Sequence, residues 1–133
     1  MNFRAIINLF SILVLLFSFS YVFPIVVSLV FNDGSLHLFL PTFVFIGVLG
    51  LIGFFFTKGV QRYLSAKDGF VIIVMFWLVL SLAGSIPFYL SGMSPIDSFF
   101  ESMSGITTTG ATVISNIESL PESLKFYRQL LQW

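Results

Sequence analysis

Ser104-Gly105-Ile106-Thr107-Thr108-Thr109-Gly110-Ala111-Thr112 is a polar stretch punctuated by glycine, and it follows three long apolar runs. Gly110 can adopt backbone conformations closed to other residues, and the threonines add hydroxyls to a row of successive carbonyls. A column of backbone carbonyls is what replaces the water shell of a cation inside a selective pore. Irregular backbone is tolerated at membrane depth only where protein or a water-filled cavity surrounds it. The stretch therefore calls for neighbouring helices that enclose it.

Composition names the solvent. Of the 133 residues 57% are hydrophobic and 9% charged, with a mean hydropathy of +1.03, against about a quarter charged in soluble domains. Such a chain belongs in a bilayer, and membrane lipid is its first partner. A net charge of zero gives no basis for a nucleic-acid partner. The absence of cysteine removes disulfides, thiolate metal ligands and thiol catalysis together. His37 is the single histidine, which excludes a histidine metal cluster; at a helix end it reads as an interfacial side chain rather than a proton relay.

No charge occurs from Ala5 to Asn32, well beyond the ~20 apolar residues of a spanning helix, and Ile6 to Phe31 is read as the first span. Arg4 could serve the n-region of a signal peptide. That reading fails on length and on the missing small-residue cleavage site. Pro24 removes one backbone hydrogen bond and predicts a kink. Asn32-Asp33-Gly34-Ser35 is a turn, and Leu36 to Phe56 is the second span. Gly47, Gly50 and Gly53 recur every third residue and give this helix a face for close approach. Lys58, Arg62 and Lys67, against Asp68, gather before the third run, Gly69 to Leu90, with Arg4 on the same side. The positive-inside rule makes that side cytoplasmic. Ser81, Gly84 and Ser85 offer the third span a small-residue contact patch.

From Ser94 to Asn116 the chain turns polar, and a mid-membrane carboxylate such as Asp97 costs roughly 2.5–3.5 kcal/mol to insert. One reading is an external Ser/Thr-rich loop. Against it, Ser94 as N-cap, Pro95 at the first helical position and Asp97 in the first turn announce a helix. Ile96, Phe99, Phe100 and Met103 repeat at helical spacing and predict one apolar face, with Asp97 and Glu101 on the polar face. An acid–base carboxylate pair there lacks a reactive partner. Gly105 provides a place for the helix to stop, its negative dipole end favouring cations beyond it. A further helix begins near Ser119, with Ser119 and Glu122 at capping-box spacing, Pro121 in the first turn, and Leu120, Leu124, Tyr127 and Leu131 on one face. If the polar segment re-enters, Lys125 and Arg128 lie outside, against the charge rule; if it crosses, they lie inside. Two unpaired carboxylates and a threonine run are poor lipid-facing material, which favours re-entry.

Glu101 to Thr112, Glu-Ser-Met-Ser-Gly-Ile-Thr-Thr-Thr-Gly-Ala-Thr, resembles the first pore loop of the Trk/Ktr/HKT superfamily of potassium transporters. The two apolar runs ahead of the third also fit that framework. The resemblance implies an all-α integral membrane protein with three transmembrane helices, a re-entrant pore helix and a selectivity-filter loop, truncated at the start of the next helix. Residues 1–66 would hold two N-terminal transmembrane helices, and residues 67–133 an incomplete first membrane-pore-membrane repeat. Thr108, Thr109, Gly110, Ala111 and Thr112 would form the filter segment, with potassium passing the backbone of Thr108, Thr109 and Gly110. Glycine at position 110 accompanies potassium permeation in the plant relatives, and serine accompanies sodium. Potassium is then the cargo, with no organic cofactor and no enzymatic step. The implied partners are three further repeats of the same transporter, a second copy of the full protein in a homodimer, and a cytosolic nucleotide-binding regulatory subunit. The implied location is the bacterial inner membrane, with a cytoplasmic N-terminus. Since one loop cannot encircle an ion, the expectation is an N-terminal fragment of a transporter. The alternative is a small non-conducting helical scaffold or partner subunit that associates through Gly47, Gly50 and Gly53. A membrane enzyme ranks behind both, for want of a nucleophile, metal set or cofactor motif.

Overall fold

The computed structural model describes residues 3–59 and 65–133, and the regular elements among them are helical. The first apolar run forms α1 (Phe3–Ser20) and α2 (Val22–Phe31), together 29 residues of span length. The expected single helix from Ile6 thus starts earlier and is interrupted at Tyr21. Pro24 has no N–H to offer the Ser20 carbonyl four residues back, so the ladder breaks there. Tyr21 N bonds instead to Ser18 O at 3.1 Å, and Ile25 N resumes on Tyr21 O at 3.1 Å.

The second span, α3 (Leu36–Phe56), has the expected limits. The third, α4 (Ala66–Leu90), begins three residues before the expected Gly69. Ser65 and Asp68 form a reciprocal capping box, with Ser65 N on Asp68 Oδ2 at 3.0 Å and Asp68 N on Ser65 Oγ at 3.3 Å. Lys67 and Asp68 therefore belong to the first turn of a helix rather than to the connection. Arg62 lies outside the described residues.

The glycine face of α3 is used within the chain. A Cβ on Gly50 would lie 2.8 Å from Leu15 Cγ, one on Gly53 would strike Ser11 Oγ, and Gly47 faces Ser18, so α1 lies against this stripe. Asn8 secures one end of the pair by donating to Thr57 Oγ1 at 3.0 Å. At the level of the break in the first span, Tyr21, Phe39, Phe88, Leu124 and Tyr127 are buried together. Tyr127 contacts the rings of Tyr21, Phe39 and Phe88 at centroid distances of 5.7, 5.4 and 5.4 Å. The two phenols are satisfied on α4: Tyr21 donates to Ala83 O at 2.8 Å and Tyr127 to Gly84 O at 2.9 Å. An interrupted helix, two spans and the last helix are locked at one point.

After α4 the chain doubles back. The short helix α5 (Pro95–Ile106) runs down α4, placing Ser102 at Gly84, while Ser81 Oγ donates to Met103 Sδ at 3.2 Å. A loop and a 3₁₀ turn (Ile117–Ser119) return to α6 (Glu122–Gln132). Asp33, Leu90, Met93 and Leu120 border one cavity, so the segment that follows α4 leaves and returns at the same end of the bundle.

Candidate functional site

The site is built on α5, and its first surprise is which side of that helix is buried. Ser94 caps it as expected, accepting from Asp97 N at 3.1 Å. Yet Ser98, Glu101, Ser102, Ser104 and Gly105 face the protein, while Ile96 is 82% exposed. The apolar face forecast from the spacing exists as a pattern but is split: Ile96 and Phe100 point outward, whereas Phe99 is half-buried and Met103 meets Ser81 of α4. In lipid, apolar side chains gain little by meeting one another, and small residues that admit close approach decide the contact. Ser102 faces the bare Cα of Gly84, where a Cβ would strike its hydroxyl. Ser81 shares this contact, whereas Ser85 bonds back to Leu82 O at 2.7 Å.

Gly105 does not end the helix. It lies within α5, where an added Cβ would come 2.9 Å from Leu131 Cβ of α6, so its value is proximity. The stop comes two residues later as a Schellman motif. Thr108 stands at φ +56°, Thr109 N reaches Ser104 O at 2.9 Å, and Thr108 N reaches Gly105 O at 2.8 Å. Glycine is the usual occupant of that left-handed position. A β-branched threonine there stores about 1–3 kcal/mol of strain.

The loop beyond is tied from behind. Ser104 O also receives Gly110 N at 3.3 Å, and Ser104 Oγ donates to Ala111 O at 2.6 Å. Gly110 has φ +75° with open space where a Cβ would be, so the residue is required by its conformation rather than by crowding. Positive φ at Thr108 and Gly110 but not at Thr109 alternates the hand of the chain, the arrangement by which successive carbonyls can turn to one side of an extended backbone. Among the described residues nothing donates to the carbonyls of Thr108, Thr109 or Gly110. Thr107 Oγ1 donates to Met103 O at 2.7 Å and lies 2.9 Å from Thr109 Oγ1.

Of the five residues expected in the filter, Thr108, Thr109 and Gly110 present open carbonyls, and Ala111 and Thr112 are turned to the supports. The Thr112 hydroxyl donates to Glu101 Oε1, which also accepts Val113 N at 2.7 Å. Glu101 Oε2 receives Arg128 Nε of α6 at 3.1 Å. Glu101 is thus not an unpaired carboxylate, nor is it free for acid–base work with Asp97. The cation that fitted re-entry poorly is its partner. A buried acid in an apolar segment needs a counter-charge, and that requirement was the one clue to Arg128 in the sequence.

The capping box expected at the start of α6 is not formed. Ser119 Oγ donates to Asn116 O at 2.8 Å, Glu122 pairs with Lys125 at 2.8 Å, and α6 starts at Glu122 behind Pro121. Its cap comes from 90 residues earlier: Asp33 Oδ2 accepts Ser123 N at 2.9 Å. Asp33 Oδ1 accepts Ser28 Oγ at 2.7 Å and Ser35 N at 3.0 Å. Burial acts to raise this carboxyl, but the hydrogen bonds from Ser123, Ser28 and Ser35 outweigh it and hold the group well below the usual carboxylate range.

Comparison with known proteins gives a consistent set. The TrkH family model, described as cation transport protein, matches residues 35–133. Over its whole length the chain is 43% identical to the Trk system potassium uptake protein TrkH of Vibrio parahaemolyticus and 40% identical to that of Escherichia coli K12. It is 39% identical, over 98% of its length, to the Trk system potassium uptake protein TrkG of Escherichia coli K12. The crystal structure of the potassium transporter TrkH from Vibrio parahaemolyticus matches with a TM-score of 0.95, covering 100% of this chain and 29% of that one. The chain spans 28% of the length of the two TrkH relatives and 27% of that of TrkG.

Proposed function

Because this chain belongs to the TrkH family of cation transport proteins, we propose that it forms the N-terminal part of a potassium transporter and contributes one strand of its ion filter. The observation that carries the proposal is the row of open carbonyls at Thr108, Thr109 and Gly110, held by Ser104 and Glu101 at the end of a short helix. Such oxygens substitute for the hydration shell of a cation. The carbonyl end of α5 adds the negative end of a helix dipole nearby. No covalent step is involved.

Residues 1–66 then supply two N-terminal transmembrane helices, and residues 67–133 the first membrane-pore-membrane repeat, with α5 as its re-entrant pore helix. Two features support re-entry. The 12 residues of α5 rise only about 18 Å, short of a ~30 Å hydrocarbon core, and the segment starts and finishes at one end of the bundle. Arg4, Lys58 and Lys67 at the opposite ends of the spans support a cytoplasmic N-terminus and insertion in the cell membrane. The remaining filter strands come from the rest of the transporter, and dimerisation or regulation by a nucleotide-binding subunit is a property of that complete protein. The scaffold alternative loses support because its association face, Gly47, Gly50 and Gly53, is covered by α1.

The test is Gly110→Ser in the complete protein, with potassium uptake measured under sodium competition in cells lacking other potassium uptake. Serine at φ +75° strains the loop wherever its side chain goes. Reduced uptake or a weakened preference for potassium is expected. Unchanged flux and preference would remove residue 110 from the ion path.

A further inference from the structure

The buried pair Glu101–Arg128 sits behind the loop without facing its open carbonyls, and we infer that it is a positioning device that sets the spacing of the filter strand. The inference rests on the filter reading above. Glu101 is almost wholly enclosed, and both of its oxygens are committed to protein partners. Oε1 holds the strand leaving the filter, through Thr112 Oγ1 and Val113 N, while Oε2 holds α6, through Arg128 Nε. Glu101 is therefore not an ion ligand. It is a strut between the filter strand and the following helix.

The second anchor lies one turn further along the same side of α5. Ser104 fixes Thr109 and Gly110 through its carbonyl and Ala111 through its hydroxyl. Residues 107–112 are thus suspended between two buried points on one helix, and the distance between those points limits how far the open carbonyls can spread. Arg128 gives this arrangement its sensitivity. It follows Tyr127, whose hydroxyl is pinned to Gly84 O of α4, so the guanidinium has a fixed origin. Removing it leaves an enclosed carboxylate without a counter-charge, and the groups around such a charge rearrange. A displacement of α6 would reach residues 112 and 113 through Glu101, which couples the filter to the helix behind it.

The experiment uses the complete transporter and measures apparent KM, maximal uptake and potassium-over-sodium preference, each normalised to the amount of protein in the membrane. Glu101→Ala and Arg128→Met are expected to lower the preference about tenfold, the scale of one lost charge-assisted hydrogen bond, and to raise KM. Arg128→Lys, which keeps the charge, retains most of the preference. Thr112→Val removes one hydroxyl and leaves the ion pair intact, so it reports on the strut even if the charge variants fail to assemble; a smaller shift in the same direction is expected. Wild-type preference and KM in Thr112→Val, or in assembled Glu101→Ala and Arg128→Met, overturn the positioning role. Gly110→Ser run in parallel separates the two levels. If it disturbs selectivity while the strut variants do not, only this inference falls; if it is silent as well, the filter reading falls.

Discussion

Thr108 and Gly110 share a left-handed backbone but differ in what it costs them. For Gly110 the conformation is nearly free, and for Thr108 it stores about 1–3 kcal/mol. Thr108→Gly relieves that strain, offset in part by the larger entropy glycine loses on folding, about 0.5–1 kcal/mol. A net stabilisation of roughly 1 kcal/mol is expected, read as a higher thermal midpoint of the purified complete protein by tryptophan fluorescence. Thr108→Val keeps the branched Cβ and should leave the midpoint unchanged. A midpoint that falls in Thr108→Gly would mean that the threonine side chain makes a contact worth more than its strain. The left-handed backbone of Gly110 was legible in the sequence, since a glycine within a polar run signals a special φ. That of Thr108 was not, because a helix stop was assigned to Gly105, the nearer glycine, and nothing local distinguishes a glycine kept for conformation from one kept for proximity.

At the scale of elements, two helix contacts follow rules that soluble proteins teach poorly. The α4–α5 contact rests on absence of bulk at Gly84, so Gly84→Val should push the short helix off its support at a cost of about 1–3 kcal/mol. Ser102→Gly in the same chain makes room and should recover part of the loss, which a double-mutant cycle on the thermal midpoint measures. Additive effects would mean that the two residues do not meet. Periodicity located α5 and its cap correctly but did not tell that Ser98, Glu101, Ser102, Ser104 and Gly105 form the buried side. The deciding signal, small residues such as Ser102 opposite Gly84 of α4 and Gly105 opposite Leu131 of α6, becomes readable only once lipid is taken as the outer solvent. The α6 cap was illegible for another reason: Asp33 lies 90 residues from Ser123. Asp33→Ala should destabilise by about 1 kcal/mol near neutral pH. Its carboxyl is held below the ordinary value in the folded protein, so this stabilisation is present above about pH 4 and declines as the pH falls through and below that value. Wild type and Asp33→Ala should therefore converge in strongly acidic buffer. A gap that persists there would assign the effect to packing.

For the whole molecule, the arrangement depends on one topological fact, the return of the chain to the end from which it left α4. The spans themselves were plain from their uncharged lengths; the first starts earlier, at Phe3, and is broken at Tyr21 ahead of Pro24, and the third starts at Ala66, where a capping box acts. The return was harder to read, because the positive-inside rule applied to Lys125 and Arg128 argued for a crossing. That rule counts cations that stay in water near the surface, whereas Arg128 is withdrawn to neutralise Glu101 and Lys125 is paired with Glu122. The two arrangements differ in a measurable way, and the absence of cysteine from this chain makes the measurement clean. Single cysteines at the exposed positions His37, Ser91, Ser119 and Lys58 can be placed in the complete protein, with any cysteines elsewhere replaced. A membrane-impermeant maleimide applied to intact cells should label His37→Cys, Ser91→Cys and Ser119→Cys from outside, and Lys58→Cys only after the membrane is opened. If the segment from Ser94 to Asn116 crossed the bilayer, Ser119→Cys would follow Lys58→Cys, and the loop of open carbonyls would have no protein wall behind it. Labelling of Ser91→Cys and Ser119→Cys from one side is therefore the condition on which Ser104, Glu101 and Arg128 can act together.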